Sequence, residues 1–201
     1  MKDKDIYDDI SSIKTMMERS TRFISLSGLS GILAGVYALI GAGIAVGLLY
    51  TSCSSGNIEI KLFFIALAVL ILSISTGIWL TIRKARRRGQ AVWNQSSRAL
   101  LKAGLLPLLT GGCFILILLS RSHYGIIAPA CLVFYGLALA AASQYTYGDV
   151  KWLGICEIIL GLLALLLPGY GLLFWALGFG VLHILYGSIM YFKYDRENSV
   201  G

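Results

Sequence analysis

The chain has 201 residues and a formal net charge of +7. Hydrophobic residues make up 57% of it and charged residues 13%, against roughly 45–50% and about 25% in soluble domains. This balance excludes a soluble enzyme, a disordered chain and a nucleic-acid-binding domain, and it predicts an all-α protein of a lipid bilayer. The four cysteines have no Cys-x-x-Cys spacing, and we expect neither a metal site nor a cofactor.

The first 22 residues carry a short apolar stripe at helical spacing. The stripe recurs at intervals of four, three and four residues and consists of Ile6, Ile10, Ile13 and Met17. Five basic and five acidic residues balance each other around it. We predict a cytoplasmic amphipathic helix over residues 1–22. It is either an interfacial extension of the first span or an arm that docks on a partner protein or on a second copy of the chain.

Six apolar segments follow, each close to the about 20 residues that a helix needs to cross the hydrocarbon core. They cover residues 23–50, 62–82, 105–120, 126–144, 152–167 and 171–192. Because a backbone in lipid must satisfy its own hydrogen bonds, we predict a bundle of six transmembrane helices over residues 23–192. A basic cytoplasmic loop is predicted over residues 83–104, and a cytoplasmic tail over residues 193–201.

The basic residues predict the orientation of this bundle. If the N-terminus is cytoplasmic, 15 of the 17 Lys and Arg residues face the cytoplasm, and only Lys61 and Arg121 face outward. This asymmetry follows the positive-inside rule, so both termini are predicted to be cytoplasmic. The positive charge therefore indicates topology and no nucleic-acid partner.

A dense basic cluster follows the second span, formed by Arg83, Lys84, Arg86, Arg87 and Arg88. Such a cluster attracts anionic lipids with about 1 kcal/mol per charge near the surface. Two interpretations stay open, a contact with anionic headgroups and a stop-transfer anchor without a recognition role.

Glycine pairs at four-residue spacing mark the first span, with Gly31 and Gly35 as one pair and Gly43 and Gly47 as the other. This spacing lets two helix backbones approach closely. It predicts either intramolecular packing or a homodimer seam along the first span.

The last four spans suggest a tandem repeat of two hairpins. At an offset of 46 residues, Tyr124 and Gly125 match Tyr170 and Gly171, and Tyr145 matches Tyr191. The third and fourth spans would then form one hairpin and the fifth and sixth the other, inserted in the same sense.

Two ionisable residues lie inside the predicted spans, Glu157 in the fifth and His183 in the sixth. Such residues are rare in membranes and usually functional. Counted from the turn near Pro168, the depths of the two residues differ by roughly 4–5 Å at a rise of 1.5 Å per residue. The two side chains could therefore form a proton-exchanging pair. The alternative is structural, with Glu157 reaching towards water about one and a half turns from the cytoplasmic end and His183 bonded to a carbonyl.

Two stretches resemble known families. Residues 10–42, from Ile-Ser-Ser-Ile-Lys-Thr-Met-Met-Glu-Arg-Ser into the first span, resemble a family of small multi-span inner-membrane proteins of unknown activity from Bacteroidota. This resemblance implies a bacterial cytoplasmic membrane and no particular activity. The run Glu-Ile-Ile-Leu-Gly-Leu-Leu-Ala-Leu-Leu-Leu-Pro-Gly from Glu157, with Gly187-Ser-Ile later, is similar to six-helix acid-resistance membrane proteins of the HdeD type.

Two functional hypotheses follow from these patterns. The first is a non-enzymatic membrane scaffold or regulatory protein, which rests on the N-terminal arm and the glycine seams. The second is a small proton-coupled transporter or ligand-binding membrane protein that uses Glu157 and His183. No Asp pair, Ser–His constellation or HExxH motif indicates an intramembrane enzyme.

Overall fold

The computed structural model of the protein describes residues 27–51, 58–87, 89 and 91–195. Over these residues the chain forms six helices and no strand. The helices are α1 (Gly28–Thr51), α2 (Ile58–Arg87), α3 (Gln95–Ser120), α4 (Tyr124–Tyr145), α5 (Val150–Leu166) and α6 (Gly171–Tyr194). Every helix except α5 is long and apolar enough to cross a membrane. The prediction of an all-α, multi-pass membrane protein is confirmed.

Some predicted features lie outside the described residues. They are the amphipathic segment 1–22, with its stripe of Ile6, Ile10, Ile13 and Met17, the last arginine of the basic cluster, Arg88, and residues 196–201 of the predicted tail.

The helices pack in an order that differs from their order in the chain. α1 lies between α2 and α6, and α6 in turn contacts α5 and the start of α4. α4 packs along α5 on one side and along α3 on the other. α2 packs along α1 at the edge of the bundle, and its apolar stretch has no buried residue.

The region between α2 and α3 differs from the predicted loop over residues 83–104. α2 continues through Arg87, and α3 begins ten residues before the predicted third span at residue 105. The start of α3 is fixed by a capping box in which Asn94 Oδ1 accepts from the Ser97 amide at 2.8 Å. Hydropathy marks where lipid begins, whereas this cap marks where the helix begins, so the two boundaries differ.

Glycines allow α1 and α6 to cross closely. A Cβ on Gly31 would lie 3.1 Å from Gly187 Cα, and one on Gly35 would lie 2.6 Å from the carbonyl oxygen of Gly180. The Gly31–Gly35 face is therefore filled by α6 of the same chain, whereas Gly43 and Gly47 have open space around them. Of the two interpretations of the glycine pairs, intramolecular packing describes the first pair.

The ends of α2, α4 and α6 meet on one face of the bundle. Beyond α4, the ring of Tyr147 stacks on Tyr194 of α6 with centroids 4.0 Å apart, and Lys84 of α2 lies 5.7 Å from the Tyr147 ring centre. Asp149 Oδ2 accepts hydrogen bonds from Lys193 Nζ at 2.8 Å and from the Tyr194 hydroxyl at 2.7 Å. These two hydrogen bonds lower the pKa of Asp149 below its usual range.

Close contacts give the relative directions of the helices. A Cβ on Gly28, at the start of α1, would lie 2.6 Å from the Gly187 carbonyl oxygen near the end of α6, so these helices are antiparallel. A Cβ on Gly171, which opens α6, would lie 3.4 Å from Ala128 Cβ near the start of α4. Because α4 and α6 are also joined at their ends, they run parallel to each other.

Candidate functional site

Glu157 lies near the middle of α5. It follows the first residue of the helix, Val150, by seven residues and precedes the last, Leu166, by nine. At a rise of 1.5 Å per residue it is therefore about 10 Å from one helix end and about 13 Å from the other. Its side chain is 0% exposed, so it does not reach towards water as one interpretation of the sequence proposed.

The structure brings His183 of α6 beside this carboxyl. The imidazole is also buried, and its Nδ1 lies 3.4 Å from Glu157 Oε1. Nδ1 is 3.0 Å from the carbonyl oxygen of Gly178, and Nε2 is 2.8 Å from the hydroxyl of Tyr135 on α4. We call Glu157 and His183 the buried pair.

The hydrogen bonds of the imidazole assign its tautomer. A proton on Nδ1 is donated to the Gly178 carbonyl, which leaves Nε2 free to accept from the Tyr135 hydroxyl. Both ring nitrogens are thus satisfied in the neutral form of His183. The structure thus contains both contacts that the sequence suggested for His183. One is the hydrogen bond to a carbonyl from the structural interpretation, and the other is the contact with Glu157 from the functional interpretation.

The two carboxyl oxygens of Glu157 have no hydrogen-bond partner among the described residues. The 3.4 Å approach to Nδ1 is an ion-pair distance without hydrogen-bond geometry, because the Nδ1 proton points to the Gly178 carbonyl. A buried polar group without a partner costs about 1–3 kcal/mol, and an ionised one costs more. Such a group lowers the stability of the fold, and a destabilising polar group of this kind is typical of a functional position.

A glycine on α6 makes room for this carboxyl. A Cβ on Gly178 would lie 2.5 Å from Glu157 Oε2 and 3.3 Å from Glu157 Cδ, and it would also collide with Leu132 of α4. Any larger residue at position 178 would therefore displace the acid. Neither Gly178 nor Tyr135 is among the candidate site residues that the sequence predicts, and both belong to the site.

The winding of α6 changes at this point. Residues Ala176–Leu182 form a π-helical segment that ends where His183 begins. π-Helical turns pair residues five apart, are rare, and occur often at functional sites. Gly178 and His183 are five residues apart, so this winding places both of them against Glu157.

Aromatic rings connect the site to the surface of α6. Trp175 and Phe179 have centroids 5.2 Å apart, and Phe179 contacts Tyr135 at 5.1 Å and His183 at 5.9 Å. Trp175, Phe179 and Tyr135 are half-buried, whereas the pair beneath them is buried. We call these three rings the aromatic stripe.

The basic cluster is separate from the buried pair. Arg83 lies 5.5 Å from the ring centre of Trp79, and Arg86 and Arg87 are exposed. Lys84 differs from them because it lies over the Tyr147 ring. Over the described ranges, no group of three His, Cys, Asp or Glu side chains could hold a metal ion.

Comparison with known proteins gives no relative from which a role could be transferred. No protein-family model matches the chain, and no curated protein or solved structure matches it. The functional assignment therefore depends on the geometry of the buried pair and its surroundings.

Proposed function

We propose that the chain crosses a bacterial inner membrane six times and that both termini are cytoplasmic. The start of α1 and the end of α6 lie together, so an even number of crossings is needed between them. α4 and α6 run parallel, and α5 must therefore return the chain across the same distance. Its 17 residues give roughly 25 Å of helix, close to the thickness of the hydrocarbon core.

Close packing along α4 supports a full crossing by α5. A Cβ on Gly154 would lie 2.7 Å from the Gly136 carbonyl oxygen, and one on Gly161 would lie 3.0 Å from the Pro129 carbonyl oxygen. α5 thus follows α4 from one end towards the other. In this arrangement α3–α4 and α5–α6 are successive hairpins of the same sense, as the proposed tandem repeat requires.

The face that joins α2, α4 and α6 carries the basic residues that favour the cytoplasm. Arg83, Arg86 and Arg87 are exposed there, at the height where anionic headgroups would meet them. Single cysteines in a cysteine-free background test this orientation. A membrane-impermeant thiol reagent should label Ser122→Cys in intact cells and Gly89→Cys only after permeabilisation, and the reverse pattern would refute the proposed orientation.

We further propose that the protein is a small proton-coupled transporter in which the buried pair binds and releases the coupling proton. The observation that carries this proposal is the carboxyl of Glu157, which is buried at mid-helix beside an imidazole and has no hydrogen-bond partner within the described ranges. With His183 in the neutral form, in which both of its ring nitrogens are hydrogen-bonded, the acid is stable there only as the protonated form. Release of that proton requires a new partner for the carboxylate or a change in its surroundings. A transport cycle couples proton release to ligand binding or to a conformational change in this way.

The scaffold hypothesis has less support from the described residues. Its N-terminal arm lies outside them, and the Gly31–Gly35 face that could have served a homodimer is occupied by α6. The buried pair, by contrast, lies within the described residues, and its carboxyl, which has no hydrogen-bond partner among them, lowers the stability of the fold.

Infrared difference spectroscopy between two pH values tests the proton-binding role, with the full chain in lipid nanodiscs. Wild type should show a protonated-carboxyl C=O band that titrates and exchanges slowly with deuterium. Glu157→Gln should lose this band. Glu59→Gln, which changes an acid in the first turn of α2, should keep it. Identical spectra for wild type and Glu157→Gln would overturn the proposal.

A further inference from the structure

We propose that the ligand exchanged for the proton at Glu157 is a monovalent lipophilic organic cation. This inference rests on the proposed proton-coupled function and adds the chemical class of the transported solute. The observation beneath it is the juxtaposition of a buried, unpartnered carboxyl with a stripe of aromatic rings.

Charge balance determines the sign of the ligand. The Glu157 carboxyl is 0% exposed and has no hydrogen-bond donor in the described part of the chain, so loss of its proton would leave an uncompensated negative charge in an apolar interior. A ligand with one positive charge replaces the proton without changing the net charge of the site. The exchange is then one proton out for one cation in.

The surrounding groups determine the kind of cation. Metal ions such as Ca²⁺ need six or more oxygen ligands, whereas the carbonyl oxygen of Gly178 beside the site already accepts from His183 Nδ1. The rings of Trp175, Phe179 and Tyr135 instead offer π faces, which recognise quaternary ammonium and similar cations. In the described geometry these rings contact one another, so a cation would exchange ring–ring contacts for ring–cation contacts.

The exposure of the stripe gives the direction of entry. Trp175 and Phe179 are half-buried on α6, and the rings of Phe179 and Tyr135 reach His183 at 5.9 and 5.4 Å. An organic cation with apolar substituents partitions into the bilayer and can approach this stripe laterally. A strongly hydrated cation would have no such route.

Binding of tetraphenylphosphonium to the full chain in detergent, measured by isothermal titration calorimetry at several pH values, tests the inference. We expect saturable binding whose affinity falls by up to about tenfold for each pH unit towards acid, because proton and cation compete one for one. Glu157→Gln should abolish saturable binding, and Glu59→Gln should leave it unchanged.

The aromatic contribution is tested at Trp175, which is half-buried and can be changed without opening the core. Trp175→Leu should weaken tetraphenylphosphonium binding about tenfold, whereas Trp175→Phe, which keeps a π face, should weaken it less. Triphenylphosphine oxide, a neutral probe of similar shape, should neither bind saturably nor compete.

Absence of saturable binding to wild type, equal binding to Glu157→Gln, or competition by the neutral probe would overturn the inference. In each of these cases, a pH-dependent carboxyl band that Glu157→Gln lacks would still support the proton-binding role. Failure of the organic-cation assignment is therefore distinguishable from failure of the proton-binding role.

Discussion

Replacement of Glu157 by methionine should make the protein more stable. Methionine has a similar length, is apolar and fills irregular gaps well, so Glu157→Met removes the buried carboxyl without leaving a large cavity. His183 keeps both of its bonds in this variant, to the Gly178 carbonyl and to the Tyr135 hydroxyl. The substitution therefore leaves no new unpartnered group behind.

The sign of the effect discriminates between two descriptions of the buried pair. A neutral carboxyl without hydrogen-bond partners costs about 1–3 kcal/mol, and its removal should raise the free energy of unfolding by that amount. If the 3.4 Å contact were instead a fully charged ion pair, removal of one partner would lower the free energy of unfolding by roughly 3–5 kcal/mol. The unpartnered oxygens favour the first outcome.

Unfolding in mixed micelles of increasing SDS fraction, followed by circular dichroism, measures this difference. Glu157→Gln is the matched control, because it keeps a buried polar group of the same shape and should stay near wild type. A methionine variant that is less stable than both wild type and Glu157→Gln would refute the neutral, unpartnered carboxyl on which the proposed function depends.

Three further predictions concern the surroundings of the buried pair. Gly178→Ala should displace the acid and remove its infrared band, whereas Gly112→Ala, with open space around its Cβ, should keep the band. Gly187→Ala should destabilise the bundle by about 1–3 kcal/mol, since its Cβ would lie 2.6–2.9 Å from the α1 backbone; unchanged SDS unfolding would contradict the close crossing. The lowered pKa of Asp149 predicts a stabilising contribution that is complete above about pH 4 and lost as pH falls through the folded-state pKa. The difference in stability between wild type and Asp149→Asn should therefore shrink in acid, and a difference independent of pH would refute it.

Apolar runs predict most of the fold because lipid enforces helices wherever about 20 apolar residues follow one another. The start of α3 could not be predicted in this way. It depends on the capping box of Asn94 and Ser97 and lies ten residues from the hydrophobic boundary. The C-terminal end of α2 could not be predicted for a related reason, since its last turn carries the basic residues Lys84, Arg86 and Arg87 and is therefore not part of the apolar run.

The candidate site could be predicted in part. Glu157 and His183 are conspicuous because ionisable residues in apolar segments are rare, and the helical rise brings them to similar depths. Tyr135 gave no comparable signal, since a tyrosine in a membrane helix is ordinarily a packing residue. Its role follows only from the position of α4 against α6, which places its hydroxyl 2.8 Å from the imidazole.

The position of Gly178 beside Glu157 could not be predicted because of the helix geometry. In a regular α-helix, residues five apart are separated by about 140° around the axis, so the sequence places Gly178 and His183 on different faces. The π-helical segment Ala176–Leu182 turns both towards Glu157. Such a segment contains one residue more than the α-helix it interrupts.

This extra residue leads to a last prediction. Deletion of Val181, which is exposed within the π-helical segment, should restore α-helical winding. The Gly178–His183 spacing then becomes four, which an α-helix keeps on one face, so the variant should fold and retain the Glu157 infrared band. Deletion of Leu185, exposed in the α-helical part that follows, should instead rotate Gly187 away from α1 by about 100° and unfold the bundle. If both deletions prevented folding to the same extent, this would refute the role of the π-helical segment in positioning Gly178 and His183.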